Sequence, residues 1–255
     1  MVLIKNKYGQ TLKKIEANTL KWANLRGANL RGADLRGADM RWADMREADM
    51  RKAELIRADM RGAYLRGADM READIRWANL RGADMRWADM RKADMRKTDM
   101  RKAELIRADM RKADLRRANL IGANLREAAL RKADMRRAEL IRADMGGANL
   151  RGADMREAAL RKADMRKADM READMRGADM GGADLRRAYL RWAYLIGADM
   201  RWANLRGAKL RGADMRKADM RGVKFDENTD FTFTKFDEDT KMDNDLMAFI
   251  TAQKV

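Results

Sequence analysis

The chain contains no cysteine, no histidine and no proline among its 255 residues, and only 6% of them are aromatic. Without cysteine there are no disulfides and no thiolate metal sites. Without histidine the commonest general base and metal ligand near neutral pH is missing. No P-loop, dinucleotide-binding glycine pattern or serine–histidine nucleophile system can be picked out. No apolar run approaches the length of a membrane span, and the opening residues MVLIKNKYGQ lack the long apolar core of a secretory signal. These absences set the expectation of a cytoplasmic, non-catalytic protein with no cofactor, no metal and no membrane contact.

What is present is one five-residue unit, plainest at ANLRGANLRGADLRG from Ala23 to Gly37. Every fifth residue from Leu20 to Met220 is Leu, Met or Ile. Ala stands two residues before each of them from Ala23 to Ala218, except at Thr98. The residue between is mostly Asp or Asn, the residue after is mostly Arg, and the fifth position varies. A period of five fits neither an amphipathic helix near 3.6 nor a flat strand at 2. On a helix it would carry the apolar positions around the whole circumference. It fits a solenoid in which each unit forms one side of a coil, with Ala and Leu or Met inward and the other three outward. All six Trp fall outside the inward positions, as such a narrow interior requires.

This pattern, as in Ala28-Asn29-Leu30-Arg31-Gly32, resembles the pentapeptide repeat family. The resemblance implies an all-β solenoid, a right-handed quadrilateral β-helix with four units per coil. Residues 20–222 would then make about ten coils, a rod roughly 50 Å long at the usual strand spacing. Residues 1–19 read as an N-terminal cap, a hairpin or strand with a turn at Asn6-Lys7-Tyr8-Gly9. Residues 223–255 read as a C-terminal cap. There Phe231, Phe233 and Phe236 alternate with polar residues like an edge strand. A helix follows, with Thr240 to Asp243 as its capping box and Met242, Leu246, Met247, Phe249 and Ile250 as its apolar face. Phe231, Phe233, Leu246, Phe249 and Ile250 serve either this cap or a homodimer contact, so the chain is a monomer or a C-terminally joined dimer.

The formal net charge is +17, with the N-terminal 22 residues at +4 and the segment from Val223 onward at −4. Two readings of the Arg after each central residue stand side by side: pairing with the nearby Asp, or a guanidinium array for phosphates. The fifth position is freer. Sorted by the twenty residues of a coil, Lys92, Lys112 and Lys132 share one column. Arg57, Lys97, Arg117 and Arg137 share the next, and Lys102, Arg142 and Lys162 the one beyond. These ten residues are the candidate polyanion or partner surface, against the alternative that they only solubilise the rod. Trp22 and Trp42 should stack on adjacent coils, and Ile121 and Ile141 replace Arg one coil apart. These four are a candidate interface.

The function that follows is a binding or scaffold rod acting through a basic surface, its partner a nucleic acid or an acidic protein. The family resemblance also suggests topoisomerase interaction, because gyrase-protecting members carry an acidic rod resembling DNA. The positive charge here disfavours that. A purely structural or designed rod stays open. The irregular Tyr64, Ala129 and Lys209 substitutions point instead to a natural duplication history, and near-exact copies such as RKAELIRADMR at 51–61 and 101–111 are offset by a multiple of five and not of twenty.

Overall fold

The computed structural model describes residues 1–253. Along the repeats the second residue of each unit makes a parallel β-bridge to the residue twenty positions later, beginning with Asn24↔Asp44 and Asn29↔Asp49. Four units thus close one coil of a four-sided β-helix. Ala and Leu or Met alternate inward, and at mid-rod they are fully buried, Ala113 at 1% exposure and Leu115 at 0%. Thr98 takes an Ala place and is tolerated because its hydroxyl donates to Met95 O at 2.7 Å.

The unit exists because it pairs every backbone N–H, as a buried or half-buried chain must. In residues 93–97, Ala93 N donates to Met90 O at 3.1 Å, which closes the corner turn. Asp94 N donates back to Ala73 O at 2.9 Å, and Met95 N forward to Asp114 O at 2.8 Å. Lys97 N donates to Arg116 O at 3.1 Å. The one N–H left, that of Arg96, finds no carbonyl and donates to Asp94 Oδ1 at 3.3 Å. This is the Asx turn, which Asn makes equally well: Asn24 and Asn79 accept from Arg26 N and Arg81 N at 3.2 Å. The preference for Asp or Asn is therefore a backbone requirement first. Where it is Asp, Arg folds back on it: Arg96 Nε and Nη2 donate to Asp94 at 2.8 and 2.6 Å, and Nε lies 3.6 Å from Asp114 on the next coil.

The fifth residue sits at the corner with positive φ, in Gly and non-Gly alike: 65° at Gly32 and 58° at Lys97. Holding a side chain there costs about 1–2 kcal/mol relative to Gly. Corner tryptophans lean toward the next coil. Trp22 stacks on Trp42 with centroids 5.5 Å apart and planes 10° apart. Trp77 and Trp87 lie under the cations of Lys97 and Arg107, at 4.0 and 4.8 Å. The rings of Trp42, Trp192 and Trp202 cover Gly62, Gly212 and Gly222 so closely that a Cβ would collide with them.

Both ends are covered. Strands β1 (Val2–Lys5) and β2 (Thr11–Ile15) form an antiparallel hairpin. Asn6 Oδ1 ties its turn by accepting from Tyr8 N and Gln10 N at 2.9 and 3.1 Å. Lys5 O accepts from Asp34 N at 2.8 Å, docking the hairpin on the first coils. At the other end the alternating phenylalanines do not form a strand. The ladder continues with stretched units, Lys209↔Asp230, Asp214↔Lys235 and Asp219↔Lys241. Phe231 takes a central position and is buried, whereas Phe233 is a corner residue with φ 57° and is exposed. The alternation arises because the two lie on either side of a turn.

Three aspartates terminate the coil by accepting the corner N–H groups of the coil before. Asp226 accepts from Gly207 N, Asp237 from Lys217 N and Asp243 from Gly222 N, at 2.8, 2.8 and 2.7 Å. Helix α1 (Asn244–Ala252) then lies across the end, with Leu246 and Ile250 buried. Phe249 packs against Phe225 with centroids 4.9 Å apart. Gln253 pairs backbone of the final coil, accepting from Phe231 N at 2.9 Å and donating to Thr229 O at 2.7 Å. The capping box is not formed: Asp243 is the N-cap without a side-chain bond to the helix, and Thr240 bonds Asp237 instead. Met247 points outward and is not part of the apolar face.

Two tests follow from this construction. Gly62 and Gly82 share a corner conformation, with φ 64° and 66°, but only Gly62 lies under a tryptophan ring. Gly82→Ala should lower stability by about 1 kcal/mol, the left-handed backbone term alone. Gly62→Ala should lower it by more and shift Trp fluorescence, because the Trp42 ring must move. Equal denaturation midpoints would contradict this packing.

The second test is acid stability. The Arg41 hydrogen bond to Asp39 outweighs burial and holds that carboxyl down, from an ordinary 3.8 to about 2. Asp84, Asp169 and Asp199 are also lowered, first by Arg86, Arg171 and Arg201. A depressed folded-state value stabilises above the unfolded value and is lost as pH falls through the folded one. Thermal melting should therefore be flat from pH 7 to about pH 5 and fall between about pH 4 and 2. A melting temperature that holds or rises across that window would rule out the pairs as stabilising.

Candidate polyanion-binding surface

The Asp–Arg pairs decide which positive charge is free. On the side of the rod between the corners at 92 and 97, Asp94, Asp114 and Asp134 form the central ladder. Each is held in-unit by Arg96, Arg116 or Arg136 at 2.6 Å. Each of these arginines also lies 3.5–3.6 Å from the carboxylate of the next coil. The hydrogen bond to its aspartate raises the pKa of each of the three guanidinium groups. The middle of this face is a neutral, stitched ladder.

Its two edges are not neutral. One corner carries Lys92, Lys112 and Lys132, and the other Lys97, Arg117 and Arg137, all exposed. Among the described residues Lys112, Lys132 and Arg117 make no ion pair. Lys92 Nζ reaches Glu72 only at 4.0 Å. Arg137 is tied to Glu157 at 2.7 Å, and Lys97 rests on the Trp77 ring. Three extended residues between corners span about 10 Å, and each coil adds about 5 Å. The result is a flat face with two cationic rails, each bordering an open groove. Every rail residue holds the left-handed corner conformation that Gly would adopt more easily.

The other candidates are placed differently. Arg57 is on the second rail's corner but is cut off from Lys97 by Trp77. Lys102 is separated from Arg142 and Lys162 by Gly122, over which its own stem leans. These three lie on a third corner, so the three columns point in three directions and cannot contact one flat partner together. Ile121 and Ile141 are half-buried beside that corner and make it less basic. Trp22 and Trp42 stack near the N-terminal end, coils away from the rails. Phe231, Leu246 and Ile250 are buried in the end of the rod, and Phe249 half-buried, which leaves only Phe233 of that set exposed.

Two features escaped the sequence pattern. A groove on the fourth corner is lined by Lys167, Arg187 and Arg206 beside the paired Arg166 and Arg186. Sorting the fourth column by coil would have found it. Arg131 is also free, because Ala129 replaces the aspartate that would neutralise it. The signal was the residue two before each Arg, legible only once in-unit pairing is known.

No helix among the described residues is long and apolar enough to cross a membrane, and no His, Cys, Asp or Glu group among them could hold a metal ion. No curated protein matches the chain. Among solved structures it is similar to HetL, a pentapeptide repeat protein involved in heterocyst differentiation regulation from the cyanobacterium Nostoc sp. strain PCC 7120. The identity is 28% over 88% of this chain and 90% of that one, with a TM-score of 0.32. QnrB1, a plasmid-mediated fluoroquinolone resistance protein, is 16% identical over 75% and 88%, with a TM-score of 0.42. A pentapeptide repeat protein from the Arabidopsis thaliana thylakoid lumen is 26% identical over 42% and 77%, with a TM-score of 0.37. A sequence model described as pentapeptide repeats matches in eight copies across residues 19–51, 48–86, 78–117, 118–156, 153–191 and 183–222. The chain belongs to the pentapeptide repeat family, whose members fold as right-handed quadrilateral β-helices.

Proposed function

We propose that the chain is a non-catalytic binding rod whose mid-section grips the phosphate backbone of nucleic acid. The observation that carries this reading is the pair of rails, Lys92-Lys112-Lys132 and Lys97-Arg117-Arg137, flanking an Asp ladder already neutralised by its own arginines. Lys112, Lys132 and Arg117 meet a ligand without displacing an ion pair, Arg137 exchanges Glu157 for it, and release of condensed counterions drives the contact. A rod of +17 does not copy the charge of DNA, so competition with DNA for a basic protein saddle is disfavoured. In the same reading residues 20–222 are the binding body of about ten coils, 1–19 and 223–255 cap it, and the chain works in the cytoplasm. It acts as a monomer or as a dimer joined through the C-terminal segment.

Binding to labelled duplex DNA by fluorescence anisotropy tests this. Affinity should fall on the order of a thousandfold between about 50 and 200 mM salt if all six rail cations engage. Replacing Lys92, Lys112 and Lys132 by Gln should reduce the slope of log K against log salt by about 3. No binding at about 50 mM salt, or a slope indifferent to the triple change, overturns the reading. So does a nuclease-treated pull-down whose product is an acidic protein released by the same triple change.

A further inference from the structure

The edge that carries Lys92, Lys112 and Lys132 changes character farther along the rod. Beyond Gly152 and Glu172 the same corner column holds Trp192, Gly212 and then Phe233. On the two sides that meet there, Tyr189 and Tyr194 take the places of aspartates in consecutive units. The four aromatic residues Tyr189, Trp192, Tyr194 and Phe233 are between 48% and 66% exposed. The Trp192 ring lies against the Gly212 corner and is half exposed.

Two cations belong to this patch for a structural reason. Tyr189 and Lys209 occupy the positions whose carboxylate would neutralise Arg191 and Arg211. Arg191 makes no ion pair among the described residues, and Arg211 lies over the Phe233 ring at 5.1 Å. The nearby carboxylates are engaged: Glu172 with Arg151 and Asp214 with Arg216, each at 2.7 Å, and Asp230 as acceptor for Thr232 N at 3.0 Å. The two tyrosines keep their places in the backbone ladder. They forfeit the Asx acceptor that Asp or Asn would offer to the next backbone N–H.

We infer that this aromatic corner is a stacking platform for the unpaired bases of a single-stranded nucleic acid, with Arg191 and Arg211 meeting its phosphates. A single strand presents flat rings and anions in alternation, which is the pattern of the patch. Base–aromatic stacking is tolerant of sequence, and guanidinium groups suit phosphate. The inference stands on different residues from the duplex reading and does not require it.

The test is the triple variant Tyr189→Asn, Trp192→Gly, Tyr194→Asn. Asn and Gly are residues the repeat already uses at those positions, so the coil and the net charge are preserved. Anisotropy is measured with an oligothymidine strand, an abasic strand of equal length and a duplex, at about 50 mM salt. The variant should bind oligothymidine roughly tenfold or more weakly and duplex unchanged, the loss expected for removing stacked bases. The abasic strand should bind the native chain no better than oligothymidine binds the variant. Oligothymidine affinity indifferent to the variant, or equal affinity for the abasic strand, overturns the inference while leaving the rails untouched. Failure of the native chain to bind any single strand overturns it as well, and duplex binding reports separately on the rails.

Discussion

Everything in this molecule depends on pairing the backbone N–H groups of a coil only twenty residues around. Two N–H groups of each unit reach the next coil, one reaches the previous coil and one closes the corner turn. The fifth can be satisfied only by a side chain. That single orphan explains why Asp or Asn stands second in the unit. An extra residue lengthens a corner, as in the stretched units at the C-terminal end, where the ladder carries on but aspartate side chains have to accept the corner N–H groups. The same need governs the end of the rod, where Asp226, Asp237, Asp243 and Gln253 supply acceptors that a next coil would have supplied.

The surface inherits its electrostatics from this requirement. Because the turn aspartate is anionic, the following arginine folds onto it, and most of the conspicuous Arg array is spent inside its own unit. Individual exposed pairs of this kind stabilise little. Their larger effect is to cancel charge locally, so that the corners carry the positive surplus. Where Asp gives way to Ala129, Tyr189 or Lys209, the next arginine is released, and local changes in one column become changes in surface potential.

The corners are where this chain has the freedom to differ from other coils of the same shape. They bear left-handed residues that the fold would fill more easily with Gly. Lysine rails, glycines lying under tryptophan rings and the aromatic corner are all written in that one letter of the unit and in replacements of the second. A rod so regular inside can present several unrelated surfaces around its circumference, each only a few coils long.

The five-residue period by itself determined the solenoid and its buried Ala and Leu or Met positions, because periodicity is visible in one dimension. The twenty-residue columns, and with them the stacking of Trp22 on Trp42, needed in addition the four units per coil that the resemblance to the pentapeptide repeat family implied. Tertiary structure decided the rest. The split of Arg57 and Lys102 from their columns came from Trp77 and Gly122, which intervene between coils. The fate of Phe233 came from units stretched by a residue, which turned an apparent strand into a corner. Which arginines are free was hidden until Asp94 and its equivalents were seen to accept both a backbone N–H and a guanidinium. Charge counted along the chain is not charge presented to a ligand, because pairing is a matter of three-dimensional distance.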